Sequence, residues 1–203
     1  SQNKKLMYSI NSKHIKNITI LAIPIIISNL SRVFMELADM AMIGGIDKIG
    51  GQSTNALGAI GFAAMLLWII FGMGISIRTS TQTITSRRLG EENYSGCGQA
   101  LQHGHILALI CGLPITLLLY FYIPDILNLL ISQKSILPLT IDYSFFMILS
   151  IYFVYGSFVF QGFYNGIKMT RIHMKVMIMA NLINVYLNAG LIYGSENIKI
   201  FLD

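Results

Sequence analysis

The sequence predicts an all-α membrane protein with about five transmembrane helices. Of its 203 residues, 54% are hydrophobic and only 11% are charged, whereas a soluble domain averages about 25% charged residues. The apolar runs repeatedly reach about 20 residues, which is the length that crosses a bilayer as a helix. A lipid bilayer is therefore the expected environment of the chain, and soluble enzyme folds are excluded.

The bounds of the predicted spans follow from the apolar runs and from the polar segments between them. The spans lie at about residues 15–43, 56–80, 100–122, 139–164 and 175–193. The connection between the first two is short and rich in glycine, so these two spans should be antiparallel neighbours. An odd number of spans places the two ends on opposite sides of the membrane.

The first predicted span carries three charged side chains, Arg32, Glu36 and Asp39. Their spacing of four and three residues places them on one face of a helix, and a charge inside the membrane marks a candidate functional residue. Arg32 and Glu36 either pair with each other or line a polar cavity. Asp39 either reaches the nearby membrane surface or belongs to a polar site. Pro24 removes one backbone hydrogen bond and is a candidate hinge.

The second predicted span ends in a hydroxyl-rich stretch, residues 79–85. These hydroxyls either line a wet cavity or bond the helix backbone. The third span is followed by a semi-apolar connection in which Asp125 is a candidate N-cap for a short interfacial helix. Both features place polar groups at the ends of spans, where these groups easily find hydrogen-bond partners.

The last two predicted spans contribute amide side chains. Gln161 in the fourth span and Asn181 in the fifth are candidate polar residues of an internal cavity. Asn184 and Asn188 lie four residues apart and share one face of the fifth helix. Their amide oxygens are hard ligands of the type that binds alkali or alkaline-earth cations, although asparagines also hydrogen-bond one membrane helix to another. Both roles are open from the sequence.

The 14 basic residues indicate the orientation of the chain, because nine lie in the N-terminal segment and the even-numbered connections and three in the others. The nine are Lys4, Lys5, Lys13, Lys16, Arg87, Arg88, Lys168, Arg171 and Lys175. Cytoplasmic segments carry the excess of Lys and Arg, so we expect an integral plasma-membrane protein with a cytoplasmic N-terminus. The basic residues form no patch, so nucleic acid is not an expected partner.

Depth in the membrane places the first-span acid beside the fifth-span asparagines. The odd-numbered spans run in one direction, and at 1.5 Å per residue Asp39 lies about 6 Å and Asn188 about 8 Å before the ends of their spans. If these spans pack together, Asp39, Asn184 and Asn188 form one site of an acid and two amide oxygens. Such a site can exchange a proton for a metal ion, which is the chemistry of coupled antiport.

No enzyme signature accompanies these features. His103 and His105 are two residues apart, so on a helix they point to opposite sides and cannot bind one metal ion together. The sequence contains neither an HExxH nor a CxxC motif. We therefore expect a protein that is not an enzyme and that uses no cofactor.

Several segments resemble the multidrug and toxic compound extrusion (MATE) family of transporters. The stretch IPIIISNLSRVFMELADMAMIGGI, with Pro24 and Asp39, resembles the first helix of that family. SRRLGEEN resembles its cytoplasmic turn, and QGFYNGIKMTRIHM resembles its fourth-to-fifth connection. NLINVYLNAGLIYG, with Asn184 and Asn188, is similar to its fifth helix. The resemblance covers nearly the whole chain in the right order.

The resemblance implies an exporter of amphipathic, often cationic organic compounds that is driven by Na⁺ or H⁺ and built of two six-helix lobes. It implies that Asp39, Asn184 and Asn188 form the cation site of the amino-terminal lobe, where they would ligate Na⁺, and that Pro24 bends the first helix. Many members carry Asp at the position of Asn188, so the choice between Na⁺ and H⁺ is open.

The chain then corresponds to most of one lobe, and the second lobe is its expected partner. We expect a cytoplasmic N-terminal segment at residues 1–14, a transmembrane lobe of five spans at 15–194, and an exterior tail at 195–203. The sixth helix of the lobe would follow that tail.

Two other functions are open from the sequence. A flippase for lipid-linked oligosaccharide, from the same superfamily, needs several basic side chains for pyrophosphate, and only Arg32 and Arg78 lie inside the spans. A membrane scaffold that transports nothing would use its polar side chains only to join helices.

Overall fold

The structure, a computed structural model, describes residues 12–45 and 53–202, with side chains described for 15–45 and 53–194. Within these ranges the chain forms five α-helices and no strand. They are α1 (Ser12–Gly44), α2 (Ser53–Gly90), α3 (Tyr94–Leu130), α4 (Leu137–Gly166) and α5 (Thr170–Leu202). Each contains a stretch long and apolar enough to cross a membrane. The predicted all-α membrane fold is confirmed.

The hydroxyl-rich end of the second span belongs to the helix, because α2 continues to Gly90 rather than ending near residue 80. The Thr79 hydroxyl donates to the Ile75 carbonyl at 2.9 Å, and the Thr81 hydroxyl donates to the Ile77 carbonyl at 2.9 Å. Each hydroxyl thus bonds the backbone one turn earlier, and the polar stretch stays helical.

The predicted N-cap role of Asp125 is wrong, because Asp125 lies inside the unbroken helix α3. The helix contains Pro114 and Pro124. A proline removes only one backbone donor, and the apolar residues around it keep their hydrogen bonds, so membrane helices tolerate it. The cap of α3 is Asn93, whose side-chain oxygen accepts from the Gly96 backbone N–H at 2.8 Å.

The two ends of the chain are helical as far as they are described. α1 begins at Ser12, inside the predicted N-terminal segment, whose residues 1–11 lie outside the described residues. Gly194 interrupts α5 with a φ of 68°, a left-handed conformation that glycine adopts without steric cost. The helix resumes beyond it and runs to Leu202, so the segment predicted as a tail is helical to that point.

Helices α2, α3 and α4 form a three-helix core in which α4 packs against both of its neighbours. Tyr155 of α4 is fully buried, and its hydroxyl donates to the Ile70 carbonyl of α2 at 2.7 Å. Gly162 and Gly166 let the backbone of α2 approach α4, since a methyl group at Gly162 would overlap the Arg78 carbonyl oxygen. Small residues four apart are a common basis for close helix packing in membranes.

Helices α1 and α5 form a separate pair that packs mainly against itself. α1 also contacts α2, as the short connection predicts, but its main partner is α5. The outer faces of the pair are apolar and exposed, as expected for surfaces that meet lipid or a further helical unit. They include Ile18, Phe34, Leu37, Met179, Leu182 and Leu191.

Candidate functional site

Three hydrogen bonds from side chains of α5 join it to α1. Asn181 Nδ2 donates to Ser31 Oγ at 2.6 Å, and Asn188 Nδ2 donates to Asp39 Oδ1 at 2.8 Å. The Tyr193 hydroxyl donates to the Met42 carbonyl at 2.5 Å. We call these six residues the polar seam. Because the residue numbers rise together on both helices, α1 and α5 run parallel.

Asn184 adjoins the polar seam at its bond between Asn188 and Asp39, so the three residues that the depth argument places in one site lie together. Besides its bond to Asp39, Asn188 Nδ2 donates to Asn184 Oδ1 at 3.1 Å. All three side chains are half-buried. One amide of α5 thus connects the acid of α1 to a second amide of α5.

The ligand chemistry of this cluster favours a hard cation. In the described part of the chain, no three His, Cys, Asp or Glu side chains cluster as metal ligands. A metal ion here would therefore be held by carboxylate and amide oxygens, which suit alkali and alkaline-earth ions rather than zinc or copper. In the described arrangement Asn188 offers its N–H groups to both neighbours. Rotating that amide would turn its oxygen toward the cluster instead.

Pro24 lies within α1, about 22 Å along the helix axis from Asp39. It is buried, and the buried hydroxyl of Ser28 donates to its carbonyl at 2.8 Å. The chain is helical on both sides of it. The helix therefore continues through Pro24 despite the missing backbone hydrogen bond. The role of Pro24 as a hinge stays a prediction.

The other predicted polar residues lie in three different places. Arg32 Nε and Glu36 Oε1 are 3.8 Å apart, and the two side chains are 44% and 50% exposed, which makes a weak pair. Asn181 belongs to the polar seam. Gln161 is buried in α4, where its Oε1 accepts from Arg78 Nη1 at 3.3 Å. The structure thus separates Gln161 from the cluster at Asp39.

The sequence interpretation missed two side chains of the polar seam and one residue within electrostatic range of Asp39. Ser31 and Tyr193 bond across the pair, and Tyr143 of α4 lies within electrostatic range of Asp39. A matched spacing could have revealed Ser31. It precedes Asp39 by about two helical turns, as Asn181 precedes Asn188 on α5. No such pattern marks Tyr143, which belongs to another helix.

Comparison with known proteins extends this description. The chain matches the MatE family model over residues 24–189. It is 26% identical to a probable multidrug resistance protein NorM of Photorhabdus laumondii, over 91% of this chain and 39% of that protein. It is also 26% identical to the DNA damage-inducible protein F of Escherichia coli, over 86% of this chain and 37% of that protein. The chain thus spans about two fifths of the length of these curated relatives.

Solved structures show the same fold. An outward-facing MATE family multidrug resistance transporter superposes with a TM-score of 0.80 at 23% identity, over 92% of this chain and 41% of that one. A MOP superfamily transporter from Pyrococcus furiosus gives a TM-score of 0.80 at 22% identity, over 92% of this chain and 40% of that one. Together with the family match over residues 24–189, this shows that the chain belongs to the MatE family, the multidrug and toxic compound extrusion transporters.

Proposed function

We propose that the chain is part of the amino-terminal lobe of an ion-coupled exporter of amphipathic organic cations, and that Na⁺ or H⁺ acts at Asp39, Asn184 and Asn188. The observation that carries this proposal is the amide of Asn188. It donates to the Asp39 carboxylate of α1 and to the Asn184 amide of α5, inside the membrane-spanning part of both helices.

Binding of the coupling ion would act on the contact between α1 and α5. A proton on Asp39 removes the negative charge that strengthens its hydrogen bond from Asn188, and a bound cation offsets that charge. A cation also needs the oxygen of Asn188 rather than its N–H groups, so its binding would exchange both bonds of that amide. The ion would thereby favour one arrangement of the pair over another, which is what coupling requires.

The proposed direction of transport rests on the family resemblance and on the expected orientation of the chain. With a cytoplasmic N-terminus in the plasma membrane, Asp39 lies in the outer half of the bilayer, toward the C-terminal end of α1. The ion would then enter from outside and the substrate from the cytoplasm. Bending of α1 at Pro24 would link the two events.

The complete exporter would contain a second lobe. The relatives named as multidrug resistance proteins are more than twice as long as this chain, and the exposed apolar faces of α1 and α5 offer surface for a further helical unit. Transport therefore belongs to the full-length protein, and the experiments below use it.

Substitution of Asp39 by Asn tests the proposal, because it keeps the size and the acceptor oxygen of the side chain but removes its charge and its proton. In proteoliposomes of the full-length protein, we expect Asp39→Asn to abolish dye efflux driven by a Na⁺ or a pH gradient. Asp142→Asn is the matched control. It removes an exposed carboxylate of α4 and should leave efflux unchanged.

A binding measurement identifies the ion independently of transport. An ion present at about ten times its Kd stabilises the folded protein by roughly 1.4 kcal/mol, so the thermal midpoint of the purified wild type should rise with Na⁺ or shift with pH. Asp39→Asn should lose that response. Unchanged efflux in Asp39→Asn would refute the mechanism, and a wild type that responds to neither ion would favour a membrane scaffold.

A further inference from the structure

Helix α2 carries a cation inside the membrane that no carboxylate of the described chain neutralises. Arg78 Nη1 donates to the side-chain oxygen of Gln161 at 3.3 Å, and the guanidinium carbon lies 6.0 Å from the centre of the Phe158 ring. The described residues form three ion pairs, and Arg78 is in none of them. Its contacts are a neutral amide and an aromatic face.

The side chains that interact electrostatically with Arg78 belong to basic residues. Arg32 of α1 and His173 of α5 both lie within electrostatic range of it. Arg32 has Glu36 as a partner at 3.8 Å, in the exposed and therefore weak pair described above. Arg78 itself has no carboxylate partner among the described residues.

The contacts within the protein satisfy only part of the Arg78 guanidinium. A charge inside the membrane is costly and is normally paired or functional. Gln161, only 8% exposed, holds one N–H of the guanidinium, and no other hydrogen bond of Arg78 is found in the described structure. A guanidinium has five N–H donors in a planar fork that matches two oxygens of a carboxylate or phosphate. The contacts to Gln161 and Phe158 orient the guanidinium and leave most of its N–H groups available to bind a ligand.

We propose that Arg78, positioned by Gln161 and Phe158, binds an anionic oxygen group of the transported compound. The exporter then prefers amphipathic cations that also carry a carboxylate or a phosphate. This inference rests on the proposed function but concerns a different residue set, since Arg78 and Gln161 belong to α2 and α4 while Asp39 belongs to α1. The anionic group of the substrate and the coupling ion would thus bind at different residues.

A matched pair of dyes tests the preference. Rhodamine 6G is an ethyl ester and rhodamine 19 is its free acid, so the two share one cationic ring system and differ in a carboxylate. We expect the purified full-length protein in neutral detergent to bind the free acid about tenfold more tightly, as measured by fluorescence polarisation, which is typical of one charge-assisted contact. Arg78→Gln should bring the ratio of the two Kd values close to one. Arg78→Lys keeps the charge but loses the fork, so it should give an intermediate ratio.

Two controls separate this proposal from the proposed coupling. Arg87→Gln removes an arginine whose side chain is 81% exposed and should leave the ratio unchanged. Asp39→Asn should lose ion-driven efflux but keep the preference for the free acid, so that either proposal can fail alone. An unchanged Kd for the ester in Arg78→Gln shows that this variant is folded.

Any one of three outcomes would overturn the inference. The first is that the wild type binds the two dyes equally, which is measured without any variant. The second is that Arg78→Gln keeps the preference for the free acid. In the third case, adding phosphatidylglycerol to the detergent would abolish the preference, which would show that a lipid phosphate and not a substrate occupies Arg78.

Discussion

The α1–α5 pair and the core of α2, α3 and α4 are held together by different kinds of contact. Of the most apolar stretch of each helix, 33% is buried in α4 but only 11% in α1 and in α5. The core closes around Tyr155 and the glycines of α4, with apolar side chains filling the space between helices. The pair is joined by the hydrogen bonds of the polar seam.

This difference indicates which part of the lobe can move. Close-packed apolar contacts have few alternative arrangements and transmit strain. A hydrogen bond between membrane helices contributes only about 0.6 kcal/mol on average, because alternative partners exist. We therefore expect the pair to exchange its contacts more readily than the core does.

The largest effect that we predict from this comparison is on the core. In Gly162→Ala the added methyl group would overlap the Arg78 carbonyl, and the backbone cannot yield as a side chain can. We expect the full-length protein to lose about 2 kcal/mol of stability, as overpacking typically costs, with a lower thermal midpoint. Gly190→Ala is the matched control in the pair, because no atom lies within 4 Å of the added group. Equal midpoints for the two variants would show that the core is not tightly packed.

A smaller effect is expected in the polar seam. Asn181, 8% exposed, donates to Ser31 across the pair. In a double-mutant cycle of Asn181→Ala and Ser31→Ala, we expect a coupling energy of about 0.6 kcal/mol, the usual size for such bonds in membranes. The cycle is measured by unfolding of the full-length protein in denaturant. A coupling above about 2 kcal/mol would mean that the pair is as firmly held as the core, against the comparison drawn above.

The sequence predicts the helices and one contact between them for clear physical reasons. Apolar length determines the five spans, and the positions of Asp39 and Asn188 near the ends of parallel helices give them the same depth. Depth is a property of one helix and the membrane, so it can be read from spacing. That two residues at equal depth also touch depends on which helices pack together.

The sequence does not predict the partners of α4. Gly162 and Gly166 form a small-residue motif that could have indicated a close approach, but nothing in their spacing shows that α2 is the helix that approaches. The link between Arg78 and Gln161 depends on that choice of partner. Side-chain contacts between helices distant in sequence arise from packing, and packing is not visible in the periodicity of a single helix.

The smallest effect that we predict lies outside the membrane, in the turn that closes the core between α2 and α3. Arg88 Nη1 and Arg87 Nε contact the Glu91 carboxylate at 3.0 and 3.1 Å. These hydrogen bonds, that of Arg88 first, hold the pKa of Glu91 below its ordinary value. These hydrogen bonds therefore stabilise the turn fully at pH values above the ordinary pKa of a glutamate. The stabilisation is lost as the pH falls through the lowered pKa of Glu91.

A carboxyl ¹³C NMR titration of Glu91 in the full-length protein measures this shift. Because the group is exposed, salt should weaken the effect, and the thermal midpoint should hardly change. Arg88→Gln should raise the pKa of Glu91 toward its ordinary value more than Arg87→Gln does, since Arg88 makes the larger contribution. Neither variant should alter ion-driven efflux, because the turn belongs to the core. A loss of efflux in both would mean that the core moves with the α1–α5 pair.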